Sequence, residues 1–215
     1  MAPLLLGHRG ARASRHIPEN SLESFELCLQ HGCDGFEFDL RLSGDGQPVI
    51  CHDPTSRGLN LERATSAALG LPTLEQVLEQ FSERAFLDVE LKVAGLEKIT
   101  LQTLAKHPPQ RGYVVSSFLP DVLVAIYTLD PAIPVGYLCD TRKQLRGWKE
   151  FPAKWVIPRC DLVDEGLIQQ IHGAGRQAMV WTVNRSADMR ALFGWGVDAI
   201  ISDETERLIH ASRHQ

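Results

Sequence analysis

Glu37 and Asp39 stand two residues apart in Gly35-Phe36-Glu37-Phe38-Asp39-Leu40, a run whose other members carry no charge. On a strand that spacing turns both carboxylates to one face and Phe36, Phe38 and Leu40 to the other. Like charges held together inside a fold repel unless a cation lies between them, so one oxygen-ligated divalent cation, Mg²⁺ or Ca²⁺, is the chemistry this pair asks for. Two solvated positions on a half-buried strand are the competing reading, and the apolar flanks weigh against it. Leu87-Asp88-Val89-Glu90-Leu91-Lys92 alternates in the same way. Glu90 is thereby a third candidate ligand, and Lys92, at the C-terminal end of its strand, a candidate phosphate contact. Asp88 lies one step deeper, where it can orient Lys92 or a neighbouring strand.

Two histidines stand near these acids. His8-Arg9-Gly10 directly follows an apolar run, where His8 can transfer a proton and Arg9 can grip a phosphate with two hydrogen bonds. His52 follows Pro48 to Cys51. If the intervening loop is Gly44 to Gln47, Ser43 pairs with Pro48 and His52 lies opposite Asp39; a loop one residue different turns it away. A lone histidine is more often structural, and here the neighbouring carboxylates favour function. Phe118 and Trp181 fit either the apolar wall of a small polyol site or plain core packing.

The elements that must position these residues follow an α/β rhythm. Strands are expected at Pro3 to Gly7, Gly35 to Leu42, Pro48 to Cys51, Ala85 to Leu91, Gly112 to Ser116, Pro134 to Leu138, Trp155 to Pro158, Gln177 to Val183 and Asp198 to Ser202. Helices are expected at Ser21 to His31, Thr73 to Phe81, Leu96 to Lys106, Pro120 to Leu129, Arg142 to Trp148, Glu165 to His172, Ser186 to Phe193 and Glu204 to Ala211. Asn20 with Glu23 reads as a capping box for the first helix, whose Leu22, Phe25, Cys28 and Leu29 form a buried stripe. One strand is surplus to a (β/α)₈ barrel. The short link from Leu42 to Pro48 admits only an antiparallel hairpin, which makes Pro48 to Cys51 the extra strand. An open doubly wound sheet is the alternative.

Composition narrows the functions available. The 215 residues, 44% hydrophobic and 23% charged, suit a single domain spanning 1–215. With 22 basic against 27 acidic residues, a net charge of −5 and no Lys/Arg run, nucleic acid is not the expected partner. A phosphate ligand would then need locally placed positive charge. Five cysteines without a C-x-x-C pair read as reduced thiols, and Met1 to Leu6 lacks a basic leader or a span-length apolar run. A cytoplasmic protein without stable membrane insertion is expected.

The ordered set His8-Arg9-Gly10, Pro18-Glu19-Asn20-Ser21, Gly35 to Leu40, Asp45-Gly46, Val49 to Asp53, Glu90-Leu91-Lys92, Trp181 to Asn184 and Ile200 to Asp203 resembles the glycerophosphodiester phosphodiesterase family. The resemblance runs over nearly the full chain. It implies a TIM-type barrel that hydrolyses small glycerophosphodiesters to sn-glycerol 3-phosphate and an alcohol with a divalent cation. It also implies Glu37, Asp39 and Glu90 as ligands, His8 and His52 as acid and base, Arg9 and Lys92 as phosphate contacts, and Glu19 as a support behind them. The stretch from His52 to Leu71 is shorter than the insertion many such proteins carry, which opens the site to bulkier alcohols and to a lysophospholipase D-like activity. A non-catalytic phosphopolyol-binding module is the remaining alternative.

Overall fold

The computed structural model describes residues 2–213. The chain opens with β1 (Leu4–His8), α1 (Leu22–Gln30), β2 (Gly35–Leu42) and β3 (Pro48–Ile50). A small hairpin, β4 (Thr55–Ser56) and β5 (Leu59–Asn60), leads to α2 (Ser66–Leu69) and α3 (Leu74–Phe81). Strict alternation then takes over: β6 (Phe86–Leu91), α4 (Glu97–Lys106), β7 (Tyr113–Ser117), α5 (Pro120–Leu129), β8 (Val135–Cys139) and α6 (Arg142–Arg146). It ends with β9 (Trp155–Pro158), α7 (Glu165–Gly173), β10 (Gln177–Val180), α8 (Ser186–Gly194), β11 (Ala199–Ser202) and α9 (Thr205–Ser212).

The sheet runs β1-β11-β10-β9-β8-β7-β6-β2-β3, and β1 also pairs with β2, so eight parallel strands close on themselves while β3 hangs antiparallel outside the cycle. This is the expected TIM-type barrel with its surplus strand, not an open sheet. The period-two pattern decides what each face meets. Leu6, Phe86, Val114, Trp155, Met179 and Ala199 pack together as an apolar plug inside the barrel. Above that plug the inward positions become Glu37, Asp39 and Glu90. Outward positions meet the helices: Phe25 of α1 stacks on Phe36 at 4.2 Å, and Phe81 of α3 meets Phe36 edge-on at 5.1 Å. Cys28 is buried in this layer, as its helical spacing implies, and all five thiols are free. Phe25→Ala would leave a void under the strand that carries two of the acids and cost about 3–5 kcal/mol. Chemical denaturation should show that loss, and a midpoint shift under 1 kcal/mol equivalent, a rough threshold, would mean the layer collapses around the gap.

Two local expectations fail. Leu42 pairs with Pro48, so the loop is Ser43 to Gln47 and the register is one residue away from that expected. Ser43 closes the turn: its amide donates to the Gln47 carbonyl at 3.0 Å, and its hydroxyl donates to Asp45 Oδ1 at 2.5 Å while accepting from the Gln47 amide at 2.9 Å in place of the backbone carbonyl. In strict continuation His52 would share Phe38's side. The ladder ends first: the Cys51 amide donates to the Asp39 carbonyl at 3.0 Å, and Arg41 Nε then holds the His52 carbonyl at 2.7 Å as the chain turns. Nor does Asn20 cap α1. Ser21 does, accepting from the Ser24 amide at 3.1 Å. Among the described residues no helix is long and apolar enough to cross a membrane.

Candidate active site

The parallel register brings His8 beside Glu37, Glu37 beside Asp88 and Asp39 beside Glu90 at the C-terminal end of the barrel. Just beyond β1 the backbone makes a sharp turn, with Arg9 at φ 53° and Gly10 at φ 81°. Glycine is required here, since a Cβ at position 10 would sit 2.7 Å from the Ser24 carbonyl, and one at position 7 would sit 2.4 Å from the Gly10 oxygen. The turn aims the Arg9 amide at Glu37 Oε2, 3.0 Å away. Arg9 Nε lies 3.0 Å from Asp39 Oδ2, and Nη1 donates to Glu19 Oε1 at 2.7 Å. Lys92 Nζ approaches Asp39 Oδ1 at 3.3 Å and Glu90 Oε1 at 2.6 Å, and stands 5.6 Å from the Phe118 ring centre.

Glu37, Asp39 and Glu90 each offer an oxygen within 4.8 Å of the others. Glu37 Oε1 is shielded from solvent and receives no hydrogen bond, while the equally shielded Asp39 Oδ1 and Glu90 Oε1 share the single Lys92 ammonium. Three converging carboxylates with so few donors between them fit a hard divalent cation better than they fit a dry core. The electrostatics agree. Burial, followed by the charges of Asp39, Glu90 and Asp88, pushes Glu37 well above the usual carboxyl range. Burial and then Asp39 push Glu90 up to about 8, and burial pushes Asp88 up to about 7. Asp39 goes the other way: burial opposes its ionisation, yet Lys92, Arg9, an Asn20 hydrogen bond and His52 together hold it below its ordinary value.

A folded-state pKa above the unfolded one means the native state binds extra protons, so the cation-free protein loses stability as pH rises from about 4.5 toward 8. A divalent cation replaces those protons. Added Mg²⁺ or Ca²⁺ should therefore raise Tm more at about pH 8 than at about pH 5.5, where protons compete for the same oxygens. Equal gains at both pH values would remove the three acids as ligands.

His8, Arg9, Glu37, His52, Glu90, Lys92, Phe118 and Trp181 line one cavity of about 240 Å³, joined by Leu138, Asp140 and Ile201. Phe118 and Trp181 meet edge-on at 5.4 Å as part of its wall, and Trp181 Nε1 donates to the Ile157 carbonyl at 3.1 Å. Trp181 lies just past β10 and is held by a single bridge to Arg159. His8 is buried, and His52 stands more open, with 39% of its side chain exposed and Nδ1 2.8 Å from Asp53 Oδ1. Burial lowers the pKa of His8 against the opposing pull of Asp203. Burial notwithstanding, Glu19 is held low by its hydrogen bonds to Arg9 and Arg12. Asp88 binds the neighbouring strand, accepting from Ser116 Oγ at 2.6 Å, and does not touch Lys92. A larger groove of about 700 Å³ runs between Pro18 to Glu23 and the Arg57 to Gln76 region, but of all these groups it holds only Glu19 and Asn20. Concavity alone would mark the wrong place.

The model of the glycerophosphoryl diester phosphodiesterase family matches residues 8–83 and 73–207. The chain belongs to this family. Among curated members, a glycerophosphodiester phosphodiesterase of Caldanaerobacter subterraneus is 26% identical over 242 aligned positions, covering 99% of both chains. Two solved structures superpose closely. A phosphodiesterase of Oleispira antarctica in complex with its product sn-glycerol-3-phosphate is 28% identical, with a TM-score of 0.83 and coverage of 98% of this chain and 96% of that one. The glycerophosphodiester phosphodiesterase of Thermotoga maritima is 25% identical, with a TM-score of 0.84 and coverage of 98% of both. The glycerophosphoryl diester phosphodiesterase family thus accounts for the barrel and for nearly every described element.

Three groups at the site escaped the sequence reading. Asn20, taken for a cap, sits at φ 56° and donates Nδ2 to Asp39 Oδ2 at 2.8 Å. Asp203 touches His8 at 2.7 Å. Arg12 joins Glu19 at 2.5 Å to Asp203 at 3.2 Å. For Asp203 a signal existed: it continues the inward phase of Ala199 and Ile201 on the last strand, which barrel closure lays beside the first.

Proposed function

We propose that this chain hydrolyses glycerophosphodiesters to sn-glycerol 3-phosphate and an alcohol, with a Mg²⁺ or Ca²⁺ ion held by Glu37, Asp39 and Glu90. The observation that carries the reading is the cluster of three buried, converging acids beside Arg9 and Lys92, with Glu37 Oε1 left without a hydrogen bond and both histidines in the same cavity. A bound divalent ion at that position supplies electrostatic stabilisation of phosphoryl oxygens. Arg9 and Lys92 add fixed positive charge, and both keep it, since the surrounding carboxylates outweigh burial and raise their pKa values. His8, enclosed and neutral, accepts a proton from the nucleophile, either water or the glycerol 2-hydroxyl. His52, at the open mouth, gives a proton to the alcohol that leaves there. Product of the Oleispira enzyme is sn-glycerol-3-phosphate, in keeping with this assignment.

Cavity size supports the same division of the substrate. About 240 Å³ is below the roughly 300–1,000 Å³ of pockets that enclose drug-sized ligands. Glycerol phosphate is enclosed against Phe118 and Trp181, and the alcohol extends outward. A second reading, cleavage of lysophospholipids, draws on the exposed Leu59 and Leu119, one on the hairpin after His52 and the other next to Phe118. The test is a panel of glycerophosphocholine, glycerophosphoethanolamine, glycerophosphoglycerol and a lysophosphatidylcholine, each with added Mg²⁺ or Ca²⁺, with detection of glycerol 3-phosphate from the first three and of lysophosphatidic acid from the last. Release of glycerol 3-phosphate from the deacylated diesters is expected. No product from any of them, with either ion, would overturn the assignment; turnover confined to the lysolipid would favour the second reading.

A further inference from the structure

Asp203 has no part in the proton steps above, yet it is the most firmly held carboxylate near them. Its Oδ1 lies 2.7 Å from His8 Nδ1, and its Oδ2 accepts from Asn184 Nδ2 at 2.7 Å. The Asp203 amide donates back to Asn184 Oδ1 at 3.0 Å, and Ser202 Oγ donates to the same oxygen at 3.1 Å. Arg12 Nη1 supplies a further donor to Oδ1 at 3.2 Å. The side chain therefore cannot rotate without breaking contacts on both oxygens.

An ionised carboxylate only accepts hydrogen bonds, so the histidine nitrogen facing it must carry the hydrogen. His8 is then the Nδ1–H tautomer, and its lone pair lies on Nε2. That nitrogen is on the cavity side, 3.8 Å from Glu37 Oε2. We propose that Asp203 is a positioning residue, locked by Asn184 and Arg12, that fixes the ring and tautomer of His8 so that Nε2 is the atom exchanging protons with the substrate. The contribution to turnover rests on the hydrolytic reading given above; the contribution to the tautomer does not.

The surroundings also explain why an amide cannot substitute. An Asn at 203 would set its NH₂ group against Asn184 Nδ2 in one orientation, or against Arg12 and the His8 Nδ1–H in the other. In either case a donor faces a donor, and the second orientation is relieved only if His8 moves its hydrogen to Nε2, the wrong atom for a base in the cavity.

The test combines ¹⁵N NMR of histidine-labelled protein, under conditions where His8 is neutral, with steady-state kinetics on Asp203→Ala and Asp203→Asn; the His8 signal is assigned by its loss in His8→Gln. The wild type should show a protonated Nδ1 and an unprotonated Nε2. Asp203→Ala should shift toward Nε2–H, and both variants should lose about 10–10²-fold in kcat with little change in KM, the range expected when a group orienting a working histidine is removed. Asp203→Glu should restore part of the kcat and of the tautomer. Retention of Nδ1–H in folded Asp203→Ala would overturn the proposal, as would unchanged kcat in a variant whose tautomer has switched. Should the wild type hydrolyse no glycerophosphodiester while the tautomer still follows Asp203, the hydrolytic reading fails and the positioning stands.

Discussion

His8→Ala and His52→Ala should each lower kcat on glycerophosphocholine by about 10²–10⁴-fold while circular dichroism remains that of the wild type. The two losses should differ in one respect. His8 is enclosed beside Glu37 and Asp203, whereas His52 stands at the mouth where the alcohol departs. A leaving group that needs no proton, such as 4-nitrophenol in a glycerol 4-nitrophenyl phosphodiester, should recover most of the activity of His52→Ala and little of that of His8→Ala. Equal deficits on that substrate would exclude His52 as the acid, and near-normal turnover of glycerophosphocholine by both variants would remove the pair from the chemistry.

Exhaustive chelation should have an effect at least as large. Stabilisation of phosphoryl charge by a divalent ion is worth several kcal/mol, which is about 10³-fold in rate or more. Calorimetric titration separates binding from turnover: wild-type protein should take up one Mg²⁺ or Ca²⁺, and Glu90→Gln should weaken that uptake, because it replaces one of three converging carboxylates with a neutral amide. Lys92 and Arg9 cannot take over. Each already lies against Asp39 and adds a monovalent charge on a long side chain, leaving Glu37 Oε1 without a directed partner. Activity that survives chelation, or undiminished uptake by Glu90→Gln, would be incompatible with the ligand set.

The barrel was legible because its cues are local. Alternation over Gly35 to Leu42 and the short apolar run Trp155 to Pro158 define those strands to the residue, and Pro120 opens α5 at its first position. The hairpin β4–β5 and helix α2 gave no such cue: the strands are two residues each, mostly exposed, and too short for a period to register. The site was legible where chemistry follows the pleat, as with Glu37, Asp39, Glu90 and Lys92. It was hidden where contacts depend on closure, as with Asp203 and His8, which are 195 positions apart. Local grammar also misled. Asn20 has the composition of a helix cap, but Asp39 takes its amide and Ser21 caps instead. His52 reached the cavity by a route other than the anticipated one, since the register was wrong and the chain corrected it by leaving the ladder after Ile50.

Asp39 and Glu90 are hydrogen-bonded neighbours in two parallel strands, and the spacing between their backbones is set by the sheet. The segment from Asp53 to Pro72, by contrast, is an excursion anchored by Leu61 and Leu69 against Val49, and it supplies none of the three clustered acids. Such an arrangement separates inheritance of the reaction from inheritance of its preferences. A change in that excursion's length would retune which alcohols enter, while the spacing of the acids stays fixed by the pairing of their two strands.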